Sequence, residues 1–115
     1  MSTPPDLAAL AGAVADAVRA MDAEYAQMPF FVRPLVRSGF VRRTGRDAAA
    51  WRDALRTPTP LMIIDLERLA AHFRGAPARA QRGMGARPDE LVEVERRANE
   101  RAATVDRLVA ALRAR

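Results

Sequence analysis

Cysteine and lysine are both missing from the 115 residues, and aromatic side chains make up only 5% of them. Without cysteine the chain has no disulfide framework, no thiolate metal or iron–sulfur site and no cysteine nucleophile. Long apolar runs are also absent. The strongest, Leu61-Met62-Ile63-Ile64, falls far short of the roughly 20 residues that span a bilayer. The opening Met1-Ser2-Thr3-Pro4-Pro5-Asp6 lacks the basic start and apolar run of a secretion signal, so a cytoplasmic location is expected. A chain this short excludes a nucleotide-binding doubly wound fold or a barrel, each needing about twice the length. It suits one domain, residues 1–115, with residues 1–5 as a flexible lead.

What is present is alanine, proline and arginine. All 19 basic residues are arginine, and Asn99 is the single asparagine, a usage expected of a GC-rich bacterial genome. The net charge of +5 is uneven. Residues 1–28 hold one arginine against four acids, 29–57 seven against two, 58–88 five against two, and 89–115 six against six. A basic middle between less basic ends can meet phosphate, an acidic protein surface, or the acidic first helix of another copy. It can equally be a solvated face whose arginine stems cover apolar neighbours.

Apolar spacing predicts helices throughout and no strand. Leu7, Leu10, Val14, Ala17, Val18, Met21 and Tyr25 form one stripe over residues 6–28, with Thr3 or Asp6 placed to cap it and Met28-Pro29 to break it. Pro29 opens a second helix in which Pro34 predicts a kink; Phe30, Phe31, Leu35, Val36 and Phe40 share its apolar face, and Arg33, Arg37 and Arg42 another. Thr44-Gly45 stops it, and Asp47 caps a short helix through Leu55 that carries Trp51. After a turn at residues 57–60 comes a helix from Leu61 to Phe73, with Leu61, Ile64, Leu66, Leu69, Ala70 and Phe73 inward and Gly75 as its C-cap. A short helix, a turn over residues 83–88 and a long helix from Asp89 to about Ala114 complete the chain. Leu91, Val94, Ala98, Ala102, Val105, Leu108 and Leu112 make the last stripe, broken as a heptad by Arg101. The fold class is all-α, a small bundle of about four to five helices with a long C-terminal helix. Much of its core is alanine, so a second copy or a larger partner is expected to cover what one copy leaves bare.

Catalytic constellations are hard to assemble. His72 is the only histidine; its helical neighbours four residues away are Arg68 and Ala76, so Asp65 and Glu67 do not pair with it as metal ligands. A packed or surface histidine is the expectation, and no metal site is assigned. Ser38 lies 34 positions from His72 with no nucleophile elbow around it, and Gly83-Met84-Gly85 lacks the lysine and preceding strand of a phosphate loop. The chain is therefore read as a non-enzyme without a cofactor. A helix-turn-helix over residues 66–84, with Ala71 and Gly75 in register, would bury Arg74 and Gln81 at roughly 1–3 kcal/mol each or more. A sequence-independent phosphate grip across Arg33–Arg56 remains as the nucleic-acid alternative.

Glu24, Met28, Pro29, Phe30, Phe31, Val32, Arg33, Val36 and Arg37 resemble the short C-terminal module of the B subunit of light-independent protochlorophyllide reductase, which also occurs in small stand-alone proteins. That module runs from an acidic, apolar helix into Pro-Phe-Phe-Val-Arg and then Val-Arg three residues on. The likeness covers residues 23–43 and then departs: the Glu and Tyr/Phe-Ala positions that follow the arginine pair read Gly39-Phe40-Val41-Arg42, and the stretch through Trp51 to Pro60 is longer. The reductase's chemistry needs cluster cysteines and a larger chain. The resemblance thus implies a helical docking or lid element for a larger redox or tetrapyrrole enzyme.

Taken together, the residues point to an accessory or assembly protein. It docks on a larger protein partner or on itself through Phe30, Phe31, Leu35, Phe40 and Trp51, ringed by Arg33, Arg37, Arg42 and Arg43, because aromatic and arginine side chains anchor interfaces.

Overall fold

The structure, a computed structural model, describes residues 6–115; the expected flexible lead at residues 1–5 lies outside them. Six α-helices follow one another with no strand among the described residues: α1 Leu7–Ala26, α2 Arg33–Thr44, α3 Ala48–Ala54, α4 Ile63–Arg74, α5 Ala76–Met84 and α6 Pro88–Arg113. Four are long and two, α3 and α5, are short. The all-α bundle with a long C-terminal helix stands as the sequence implied.

Local chemistry explains the boundaries. The Asp6 carboxylate accepts from the Ala8 N–H at 2.9 Å and starts α1, and Asp47 does the same for α3 through the Ala50 N–H at 2.7 Å. Gly45 ends α2 at φ 86°, a left-handed conformation that costs glycine little. The second helix begins at Arg33, not Pro29. Residues 28–32 form a turn in which the Pro29 carbonyl accepts from Val32 and Arg33, so Pro34 falls in the first turn, lacks no needed N–H and makes no kink. Helix α4 is preceded by a 3-10 turn, Pro60–Met62. Gly75 is a right-handed residue at φ −78°, and α5 departs from it directly with no intervening loop. Helix α5 runs through Gly83 and Met84, so the turn expected over 83–88 shortens to residues 85–87, with Gly85 left-handed. Pro88 opens α6, where the Glu90 carboxylate takes the backbone N–H of Arg87 at 3.4 Å and its Nε at 3.0 Å.

Ion pairs give the topology. Glu67 pairs with Arg113 and Arg74 with Asp106, so α4 and α6 run antiparallel, and theirs is the most extensive helix contact. Glu24 near the end of α1 meets Arg97 and Arg101 near the middle of α6. The core collects Val14, Val18 and Met21 from α1, Phe40 from α2, Trp51 from α3, Leu66, Leu69 and Phe73 from α4, and Ala102, Val105, Leu108 and Leu112 from α6. Leu61 and Ile64, expected inward, are instead 92% and 67% exposed. The 3-10 turn rotates the start of α4 so that Met62 takes the covered position. No described helix is long and apolar enough to cross a membrane.

Candidate functional site

The residues expected to form one aromatic and arginine surface divide into two groups. Phe30, Phe31 and Leu35 stand 78%, 65% and 72% exposed at the corner between α1 and α2, the two phenylalanine rings edge to face at 5.7 Å. The corner is braced: Arg33 Nε donates to the Met28 carbonyl at 2.8 Å, and Arg37 Nε to Asp22 at 3.3 Å. Arg42 is exposed with no carboxylate partner among the described residues.

Phe40 and Trp51 are core residues, and their assignment to the docking surface is corrected. Phe40 is 2% exposed and Trp51 fully buried. Trp51 Nε1–H donates to Thr44 Oγ1 at 3.0 Å, and the Thr44 hydroxyl in turn lies 2.9 Å from the Phe40 carbonyl and 3.1 Å from that of Arg46. The Arg46 guanidinium stacks 4.8 Å above the Trp51 ring while holding Asp65 at 2.9 Å. These contacts tie the α2–α3 corner to α4. Phe40 is turned inward because the same α2 surface that carries it faces α4, where its ring meets His72 at 5.0 Å.

The basic middle is largely engaged within the chain. Arg37, Arg46 and Arg56 pair with Asp22, Asp65 and Asp53, and Arg33 serves a backbone carbonyl. The helix-turn-helix reading also lacks its turn, since α4 and α5 abut at Gly75 with Arg74 and Gln81 exposed.

Sequence reasoning treated His72 and Arg43 separately, yet the structure joins them. His72 is 2% exposed. Arg43 Nε donates to its Nδ1 at 3.3 Å, Tyr25 Oη lies 3.3 Å from its Nε2, and Arg79 Nη2 lies 3.5 Å from the same nitrogen while donating to the His72 carbonyl at 2.6 Å. Burial first, then the Arg79 and Arg43 charges, push the imidazole down to about 3, so it is neutral. Burial lowers Arg79 from its usual value, with Arg43 adding to the effect, and burial raises Tyr25. The signal that was legible is a repeated spacing, Gly39–Arg43 and Gly75–Arg79, in which each guanidinium lies over the glycine four residues before it. A Cβ on Gly39 would meet Arg43 Nη2 at 2.9 Å, and one on Gly75 would meet Arg79 Nη1 at 2.6 Å.

A groove of about 190 Å³ beside this cluster is lined by Asp22, Tyr25, Arg37, Phe40, Asp47 and Arg52. It is smaller than the roughly 300–1,000 Å³ typical of small-molecule pockets. Among the described residues, no three histidine, aspartate or glutamate side chains gather as metal ligands. No family model, curated protein or solved structure matches this chain.

Proposed function

We propose that this chain is a non-catalytic docking protein, which engages a larger protein partner, or a second copy of itself, through the α1–α2 corner. The observation that carries this reading is the exposure of Phe30, Phe31 and Leu35 together on a braced turn. Burying one such side chain is worth about 1.5–3 kcal/mol, so three of them supply the centre of an interface. Arg33, Arg37 and Arg42 form the rim, placed to satisfy acidic or carbonyl groups at the edge of the partner. The short likeness to the reductase module lies on this same corner and supports docking on a larger enzyme as one form of the function.

The test compares wild type with a Phe30→Ser/Phe31→Ser double variant. Sedimentation over a range of concentrations reads self-association, and capture from host lysate, washed in high salt, reads a partner. A dimer or a stoichiometric protein present for wild type and lost in the variant, with helicity by circular dichroism unchanged, is the expected result. A variant that retains the same association, or whose helicity collapses, overturns the proposal. Nucleic acid captured in place of protein and released by salt would support the rival reading, in which Arg42 and Arg52 grip phosphates.

A further inference from the structure

We infer that Tyr25, Arg43 and Arg79 form a binding site for a small phosphate-type oxyanion, organised by the buried His72 ring between them. Arginine only donates and a neutral ring has one acceptor nitrogen; Arg43 Nε–H is the closer of the two arginine contacts, 3.3 Å against 3.5 Å, and Arg79 Nη2 already serves the His72 carbonyl, so Nδ1 is taken as the acceptor and the ring proton as lying on Nε2. The Nε2–H then donates to Tyr25 Oη, which leaves the tyrosine O–H as a donor with no acceptor among the described residues. The Nη groups of Arg43 and Nη1 of Arg79 likewise make no hydrogen bond among the described residues, and each guanidinium lies beside the glycine four residues before it. Three donors from α1, α2 and α5 therefore gather around the two nitrogens of one imidazole, and none of them is matched by a carboxylate among the described residues.

The charge balance agrees. Arg43 lies close enough to Arg79 to disfavour its charge, and Arg82 adds to the positive field there. The one acid felt at Tyr25 is Glu24, which is itself held by Arg97 and Arg101. An exposed and a half-covered cation with a phenol between them lack what a doubly charged oxyanion provides: several acceptor oxygens at once. Both glycines make sense in the same terms. Gly39 sits inside α2, where alanine is the better helix former, and the space it leaves is occupied by Arg43.

Nuclear magnetic resonance of the single histidine, with the ring labelled by ¹⁵N, reads the site directly. Inorganic phosphate titrated at pH 7 and constant ionic strength, against chloride, is expected to give a saturable shift of the His72 ring signals. Glycerol 3-phosphate in a parallel arm separates the sources: tighter binding than inorganic phosphate assigns the site to a monoester, and equal binding assigns it to the free ion. Arg79→Gln should weaken binding about tenfold or more, the effect of one charge-assisted hydrogen bond. Gly39→Ala keeps the helix and displaces only the tip of Arg43, so it should weaken phosphate several-fold with circular dichroism unchanged. Arg42→Gln should leave it unaltered. The proposal fails if phosphate and chloride shift His72 alike, if acetate binds as well as phosphate, or if Arg79→Gln and Gly39→Ala both bind like wild type.

Discussion

The two halves of α6 share one apolar stripe and meet different fates. From Ala98 to Arg113 the helix lies against α1 and α4 and buries Ala98, Ala102, Val105, Leu108, Val109, Ala111 and Leu112. From Pro88 to Arg97 it buries nothing: Leu91 and Val94 are half-covered, Val92 is 70% exposed, and α5, whose described side chains include no buried one, packs alongside. The changeover falls at Glu24, where α1 ends and its carboxylate reaches Arg97 and Arg101. Arg96, on the solvent side, is held only by Glu93 and Glu100 of its own helix. Such local pairs are worth a few tenths of a kcal/mol, so the first half is helical through its cap, its own ion pairs and one thin neighbour, while the second is helical because it is packed. Apolar periodicity is the same in both. What differs is whether another element is there to meet it.

That contrast can be broken or sharpened experimentally. The largest effect is expected from Leu108→Ala, which should cost about 2–5 kcal/mol in urea unfolding, the usual toll for a cavity in a packed core. Acid comes next. His72 is neutral in the fold and titrates near 3 against an ordinary value of 6.5, so the unfolded chain binds the extra proton. The stability this group contributes is complete above pH 6.5 and lost as pH falls toward 3, at up to about 1.4 kcal/mol per unit. The incoming proton would land on Nδ1 against the Arg43 Nε–H of α2, with Arg79 of α5 beside the ring and Tyr25 of α1 already engaged at Nε2. Hydrogen exchange at pH 4.5 should therefore quicken in α5 and Pro88–Arg97 before Ala98–Arg113. Trp51→Phe removes the donor to Thr44 and should cost about 1–3 kcal/mol by thermal unfolding, leaving the first half of α6 unaffected. Glu24→Gln should cost about 1 kcal/mol or less, and the loss should fall as salt rises. Val92→Ser should stay within about 0.5 kcal/mol. If Val92→Ser matched Leu108→Ala, the two halves would be equally packed and the contrast would be wrong.

The helices were readable because their punctuation is local: Asp6, Asp47, Gly45 and Pro88 act on residues within one turn of themselves. Facing was less readable. In α2, Phe40 and Leu35 both lie on apolar positions of a helix of 12 residues, and only the place of α4 decides that Phe40 is covered and Leu35 is not. Leu61 and Ile64 were misplaced for a related reason, since a single 3-10 turn re-aims the start of α4. The exposed half of the expected docking surface was legible from Phe30-Phe31 beside Pro29. The His72 cluster was not, because Tyr25 and Arg43 lie 47 and 29 residues from it along the chain, and the Gly39–Arg43 and Gly75–Arg79 spacings mark the arginines without saying where they meet.

Helix α6 continues past its contact with Glu24 of α1 without a glycine or a proline after Pro88. At 1.5 Å per residue it is a rod of about 39 Å, with an outer arm of about 15 Å and an inner arm of about 24 Å on either side of that clamp. Whatever presses on the Pro88 end therefore turns the buried arm about the same pivot, and the core registers the force at Leu108 and Leu112 with no joint between to absorb it.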